Sequence, residues 1–213
     1  MSLLPDDKKN QLKEVFNQLQ NPVNLLVFTQ ELECRFCAET RQLIEELAAL
    51  SDKVGVSVYD FLSDADMVKK YKIERIPAVA VIGRKDYGVR FYGIPYGYEL
   101  HTLVEAIKNV SASEVILSER TREVLSDVKS PVNIKVFVTL TCPHCPEVAA
   151  TAYKLAVASD FITADVIDAT EFPDLSQKYA IIGVPKVVIN ERIEFIGPLT
   201  EELFAEHVLL GAY

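Results

Sequence analysis

The chain is predicted to be an α/β protein made of two tandem copies of one unit, and three observations predict this. Its only four cysteines form two Cys-x-x-Cys motifs, Cys34-Arg35-Phe36-Cys37 and Cys142-Pro143-His144-Cys145, whose equivalent positions stand 108 residues apart. Ile76-Pro77 and Val184-Pro185 follow the two motifs with the same 108-residue shift. Between these landmarks, short apolar runs alternate with amphipathic stretches, the order that builds a sheet with parallel neighbours. A chain of 213 residues holds two such units, and we divide it into 1–111 and 112–213.

Each element follows from its local pattern. Asp6 to Gln20 places Leu12, Val15, Phe16 and Leu19 on one helical face. Val23 to Thr29 is a short apolar run and reads as a buried strand. Cys34 opens a helix carrying Leu43, Ile44, Leu47 and Leu50 at helical spacing. Val54 to Asp60 alternates as a strand, and Asp64 to Tyr71 is a short helix capped by Ser63 or Asp64. Ala78 to Ile82 and Val89 to Tyr92 form a hairpin around the turn Gly83 to Gly88. Tyr98 to Lys108 closes the unit as a helix. The second copy repeats this order: a helix near Ser113 to Val128, strands at Val132 to Thr139, Ile162 to Asp168, Lys186 to Ile189 and Ile193 to Ile196, with helices between. Further positions agree, Tyr59-Asp60 with Ile167-Asp168 and Tyr71 with Tyr179. Val110-Ser111-Ala112 is too short and apolar for a free linker, so the copies should pack together.

A hydrophobic content of 49% and a charged content of 25% suit a globular chain with a real core. The net charge of −9 carries no basic stripe, which argues against nucleic acid as a partner. No apolar run is long enough to span a membrane, and Met1 to Phe16 lacks an apolar signal core, so we expect a cytoplasmic location. No cysteine is left over for a structural bridge.

The motifs carry the chemistry. Each first cysteine lies between a strand and a helix N-terminus, where unpaired N–H groups and the helix dipole favour a thiolate. Cys34 and Cys142 are therefore the expected nucleophiles, and Cys37 and Cys145 the resolving cysteines. Arg35, Phe36, Pro143 and His144 are the tuning residues. Pro143 suits the first helical turn. His144 can place positive charge beside Cys142 and raise the potential of the second site above the first. Arg35 could do the same at the first site, with Glu33 opposing it. The strands before the motifs, Leu25 to Phe28 and Ile134 to Val138, supply no acid, so no residue is assigned to take the proton from Cys37 or Cys145.

Strand, Cys-x-x-Cys helix, strand, helix, then Ile-Pro or Val-Pro before a hairpin resembles the thioredoxin fold. Two such units with intact motifs resemble the protein disulfide oxidoreductases of thermophilic archaea and bacteria, which are glutaredoxin-like and comparable to protein disulfide isomerase. The resemblance covers about residues 5 to 212 and implies mixed central sheets flanked by helices. It implies oxidation, reduction and isomerisation of protein disulfides, with the redox-active disulfides as the only cofactor and no metal. The implied partners are substrate proteins with thiols or disulfides and a thioredoxin-reductase-like flavoprotein. It also implies that Pro77 and Pro185 are cis, with Ile76 and Val184 offering backbone groups to a substrate strand. Two other functions fit the cysteines: an electron relay dedicated to a peroxidase or other single partner, and a four-cysteine zinc module.

Overall fold

In the computed structural model, which describes residues 2–213, each unit has the same element order. The first contains α1 (Asp6–Asn17), β1 (Val23–Thr29), α2 (Cys37–Ala48), β2 (Val54–Asp60), α3 (Ala65–Lys70), β3 (Ala78–Ile82), β4 (Asp86–Tyr92) and α4 (Glu99–Ala112). The second contains α5 (Glu119–Ser126), β5 (Val132–Val138), α6 (Cys145–Ala158), β6 (Ile162–Asp168), α7 (Pro173–Lys178), β7 (Lys186–Ile189), β8 (Ile193–Ile196) and α8 (Glu201–Gly211).

The two halves join edge to edge into one eight-stranded mixed sheet, ordered β2-β1-β3-β4-β6-β5-β7-β8. Within each half the first two strands are parallel, and the third and fourth strands add antiparallel neighbours beside the first. The seam is parallel, with β4 against β6 from Val89↔Ala164 to Tyr92↔Ile167. It places β4 and β6 inside the sheet, while their counterparts β8 and β2 lie at its edges. Sequence shows this in outline: β4 is apolar throughout Tyr87 to Tyr92 apart from Arg90, as an interior strand should be.

One face of the sheet carries the larger core, covered by α1, α2, α4, α5, α6 and α8. The other carries a smaller cluster around Phe28, Tyr92, Phe137 and Phe172 under the short helices α3 and α7. The helices reflect their places. In α2 the buried positions Cys37, Thr40, Leu43, Ile44 and Leu47 form one stripe. Helix α6 is buried almost all round, and its run of alanines and valines lets it sit close to β4, β6 and α4. Tyr153 of α6 donates a 2.7 Å hydrogen bond to the Arg90 carbonyl of β4, tying the two units at their seam.

Several boundaries differ from the sequence reading. The second unit's first helix is shorter than Ser113 to Val128: it begins after Ser118, whose hydroxyl accepts from the Thr121 N–H at 3.1 Å. Such a cap is worth about 1 kcal/mol and fixes the start. Val110-Ser111-Ala112 is no connector but the last turn of α4, and buried Ser111 exchanges hydrogen bonds with Asn21. The helices that follow the motifs begin at the second cysteine of each, because Cys34 to Phe36 and Cys142 to His144 form the turn before them. Pro143 therefore precedes the helix rather than occupying its first turn, a position taken by Pro146. No helix is long and apolar enough to cross a membrane among the described residues.

Candidate functional site

Both motifs sit at the C-terminal ends of equivalent strands, Cys34 beyond β1 and Cys142 beyond β5. Those strands point the same way, so both sites open on one edge of the sheet. Four strand spacings separate them, about 19 Å. Each motif is closed as its own disulfide, Cys34–Cys37 and Cys142–Cys145, with 5.5 Å between the Cα atoms in each case. The distance between the two motifs prevents the four sulfurs from sharing one zinc ion.

The first cysteine of each pair stands just before a helix whose N-cap residue, Phe36 or His144, makes no side-chain cap bond. The helix dipole and first-turn N–H groups are thus left beside the sulfurs, the environment that lowers a thiol's pKa. Cys37 and Cys145, read from sequence as the resolving cysteines, are 1% and 0% exposed. The outer cysteines differ: Cys34 is half-buried, whereas Cys142 is buried at 8% exposure within the main core cluster.

Ile76-Pro77 and Val184-Pro185 are both cis. The Cys142 sulfur lies 3.8 Å from the Val184 carbonyl oxygen, which places the second proline loop directly against the second disulfide. Pro77 and Pro185 are buried, while Ile76 and Val184 are partly open. Arg35 is exposed, its guanidinium 4.9 Å from the centre of the half-buried Phe36 ring. Pro143 and His144 are exposed. Lys135 of β5 is mostly covered, bonded to Asn133 at 2.7 Å and Glu191 at 2.9 Å.

Sequence reasoning missed the acids. Glu99, the first residue of α4, is fully buried, and neither of its carboxylate oxygens has a hydrogen-bond partner among the described residues. Burial pushes its pKa up to about 7, with the nearby Thr102 hydroxyl opposing and the charge of Asp168 adding to the rise. The loop before α4 is held against the chain that leads into the second motif. Tyr98 N–H donates to the Leu140 carbonyl at 3.1 Å, two residues before Cys142. Gly97 adopts φ +60°, and a Cβ there would lie 2.5 Å from the same carbonyl. Only glycine permits that approach. The first unit thus supplies a protonatable carboxyl beside the second unit's disulfide loop. A search confined to each motif's own repeat could not find it. The signal available was Gly97 followed by an acid at a helix start.

Asp168, at the end of β6, is also fully buried; one oxygen accepts from Thr170 N–H and hydroxyl at 2.9 and 2.7 Å, and the other has no partner. Its repeat equivalent Asp60 is partly exposed and bonds Leu62, Ser63 and the Ser63 hydroxyl. Those bonds, led by the Ser63 N–H, hold Asp60 below the usual carboxylate range.

Comparison with known proteins agrees with this geometry. Residues 132–209 match the thioredoxin domain family Thioredoxin_3. A protein disulfide oxidoreductase from Aeropyrum pernix superposes with a TM-score of 0.91 at 32% identity, over 98% of this chain and 93% of that one. The NTD_N/C domain of alkylhydroperoxide reductase AhpF from Enterococcus faecalis gives a TM-score of 0.89 at 26% identity, over 96% of this chain and 99% of that one. Among curated sequences, an NADH dehydrogenase of Bacillus subtilis is 27% identical over 93% of this chain, and an alkyl hydroperoxide reductase protein of Staphylococcus aureus 26% identical over 88%. The chain spans only about a third of those relatives, 36% and 34% of their lengths. At 32% identity over nearly the whole of both chains, the Aeropyrum pernix protein places this chain, with its two thioredoxin-fold units merged in one sheet, in the family of the protein disulfide oxidoreductases.

Proposed function

We propose that this dithiol–disulfide oxidoreductase acts on protein disulfides, reducing, oxidising or rearranging them, with the second site as the principal centre. The observation that carries this reading is the Cys142 sulfur set against the Val184 carbonyl, on a loop whose open backbone can pair with an extended substrate segment. In the reducing direction the Cys142 thiolate attacks one sulfur of a substrate disulfide. The substrate S–S bond breaks, its other sulfur leaves as a thiolate, and a mixed disulfide forms. Cys145 then loses its proton to Glu99 and attacks the Cys142 sulfur. The Cys142–Cys145 bond forms, the second substrate thiol is released, and two electrons have passed to the substrate. The disulfides themselves carry the electrons, so no other cofactor is required. Cys34 and Cys37 perform the same steps at the first site. His144 beside Cys142 favours a higher potential at the second site than at the first.

A second reading is favoured by the alkyl hydroperoxide reductase relatives: an electron relay between a thioredoxin-reductase-like flavoprotein and a peroxidase. Insulin reduction and refolding of a scrambled disulfide protein separate the two. Acceleration of both supports action on general protein substrates. Failure in both, with peroxide consumption restored when a flavoprotein and a peroxidase are added, supports the relay.

A further inference from the structure

The same structural turn is finished differently at the two sites. Gly93 N–H donates to the Pro77 carbonyl, and Gly197 N–H donates to the Pro185 carbonyl, both at 2.9 Å. Beside Gly197 nothing among the described residues lies within 4 Å of a Cβ position. Beside Gly93 the space is filled from the other unit: a Cβ would lie 2.9 Å from Glu171 Oε1 and 3.0 Å from the Asp168 Cβ. Glu171 Oε1 also accepts from the Ile94 N–H at 2.7 Å, which fixes the carboxyl over the first site's proline turn.

The charges around Glu171 come from three directions. Arg35, between the first site's cysteines, attracts it; Glu39 in the first turn of α2 and Asp168 at the end of β6 repel it. Arg75, beside the proline turn, is engaged elsewhere, 2.6 Å from Asp174 and over the Phe172 ring. We propose that Glu171 is an electrostatic positioning residue for the first disulfide: when ionised it draws on the Arg35 charge and so weakens the stabilisation of the Cys34 thiolate. The second site has no counterpart on its open turn. Burial, opposed by the Ile94 bond, pushes Glu171 up to about 7, so this control operates near neutral pH. The proposal rests on Cys34 and Cys37 being a working redox pair.

The test is the equilibrium of the first site with glutathione at pH 5.5 and pH 8, in a Cys142→Ser/Cys145→Ser background. Glu171→Gln keeps an acceptor for Ile94 and removes the charge. At pH 8 it should shift the first site about three- to tenfold toward the dithiol, the effect expected of one nearby charge, and at pH 5.5 the shift should vanish. Glu171→Asp should keep the pH dependence of the parent. An equal shift at both pH values, or none, overturns the role of Glu171 while leaving the redox function standing. If the first site never cycles in any of these proteins, the functional reading of that site fails, and the role of Glu171 fails with it.

Discussion

The two units share an element order, a motif and a proline turn, yet the burial and the neighbours of their sites differ. The second unit's parallel pair, β5 and β6, lies inside the sheet; the first unit's pair puts β2 at the edge. So Asp168 is buried while Asp60 is open, and Cys142 is in the core while Cys34 is half-exposed. Conversely, β4 is interior and β8 is an edge, so the turn at Gly93 is covered and that at Gly197 is free. A tandem merger through one seam makes equivalent residues chemically unequal. Each site has an acid of the other repeat nearby: Glu171 over the first site's proline turn, and Glu99 next to the residue that bonds the loop before the second motif.

The strongest way to break this comparison is to remove one nucleophile at a time. Cys142→Ser should lower insulin reduction by about a hundredfold or more, the scale of losing a covalent step, and Cys34→Ser by only severalfold. Equal losses, measured as kcat/KM, would mean that the asymmetry of burial has no bearing on turnover.

Glu99 offers the next largest effect. Its folded-state pKa is raised, so the unfolded chain ionises first and stability falls as pH climbs from about 4.5 toward 7. Glu99→Gln should therefore match the parent near pH 4 and exceed it at pH 8 by up to about 3 kcal/mol in urea unfolding. The same variant should slow resolution of a mixed disulfide on Cys142 by about tenfold or more. A variant more stable at pH 8 but with unchanged resolution would leave Glu99 buried without a chemical task.

Glycine exchange sharpens the steric side. Gly97→Ala meets both the φ penalty and the Leu140 carbonyl, and should cost about 2 kcal/mol while slowing the second site. Gly197→Ala meets the φ penalty alone and should cost about 1 kcal/mol with the second site's rate retained. Thermal unfolding and single-turnover alkylation read the two effects separately. The smallest contrast is between the matched aspartates: Asp168→Asn should lower the inflection assigned to Glu99 in the second site's pH profile, and Asp60→Asn should leave it in place.

The strands were legible because their apolar runs are short and bounded by turn residues; Val23–Thr29, Val54–Asp60, Ala78–Ile82, Ile162–Asp168, Lys186–Ile189 and Ile193–Ile196 coincide with the sequence reading. Helix starts were less so. Cys34 carries no mark that it precedes the helix rather than begins it, since a helix's first residue is set by cap geometry and not by periodicity. The cysteines and the two X–Pro pairs announced themselves by the shared shift. Glu99, Asp168 and Glu171 did not, because each meets residues of the other repeat, which neither repeat's own pattern reveals. Arg35 shows the same limit: sequence set it against adjacent Glu33, while the fold sets it near Glu171, far along the chain.

The seam has one more consequence. Two free-standing four-stranded sheets would expose four edge strands, and this molecule has two. The hidden pair are far more buried than the edges: six of the seven residues of β4 and five of the seven of β6 are buried, against one of seven in β2 and none in β8. A gene fragment for residues 112–213 alone would bare β6, and one for 1–111 would bare β4, each a template for pairing with another copy of itself. Separately expressed halves should precipitate or associate, and mixing them should restore solubility. On that basis the ancestral duplication was not reversible: once joined, neither copy could leave without becoming sticky.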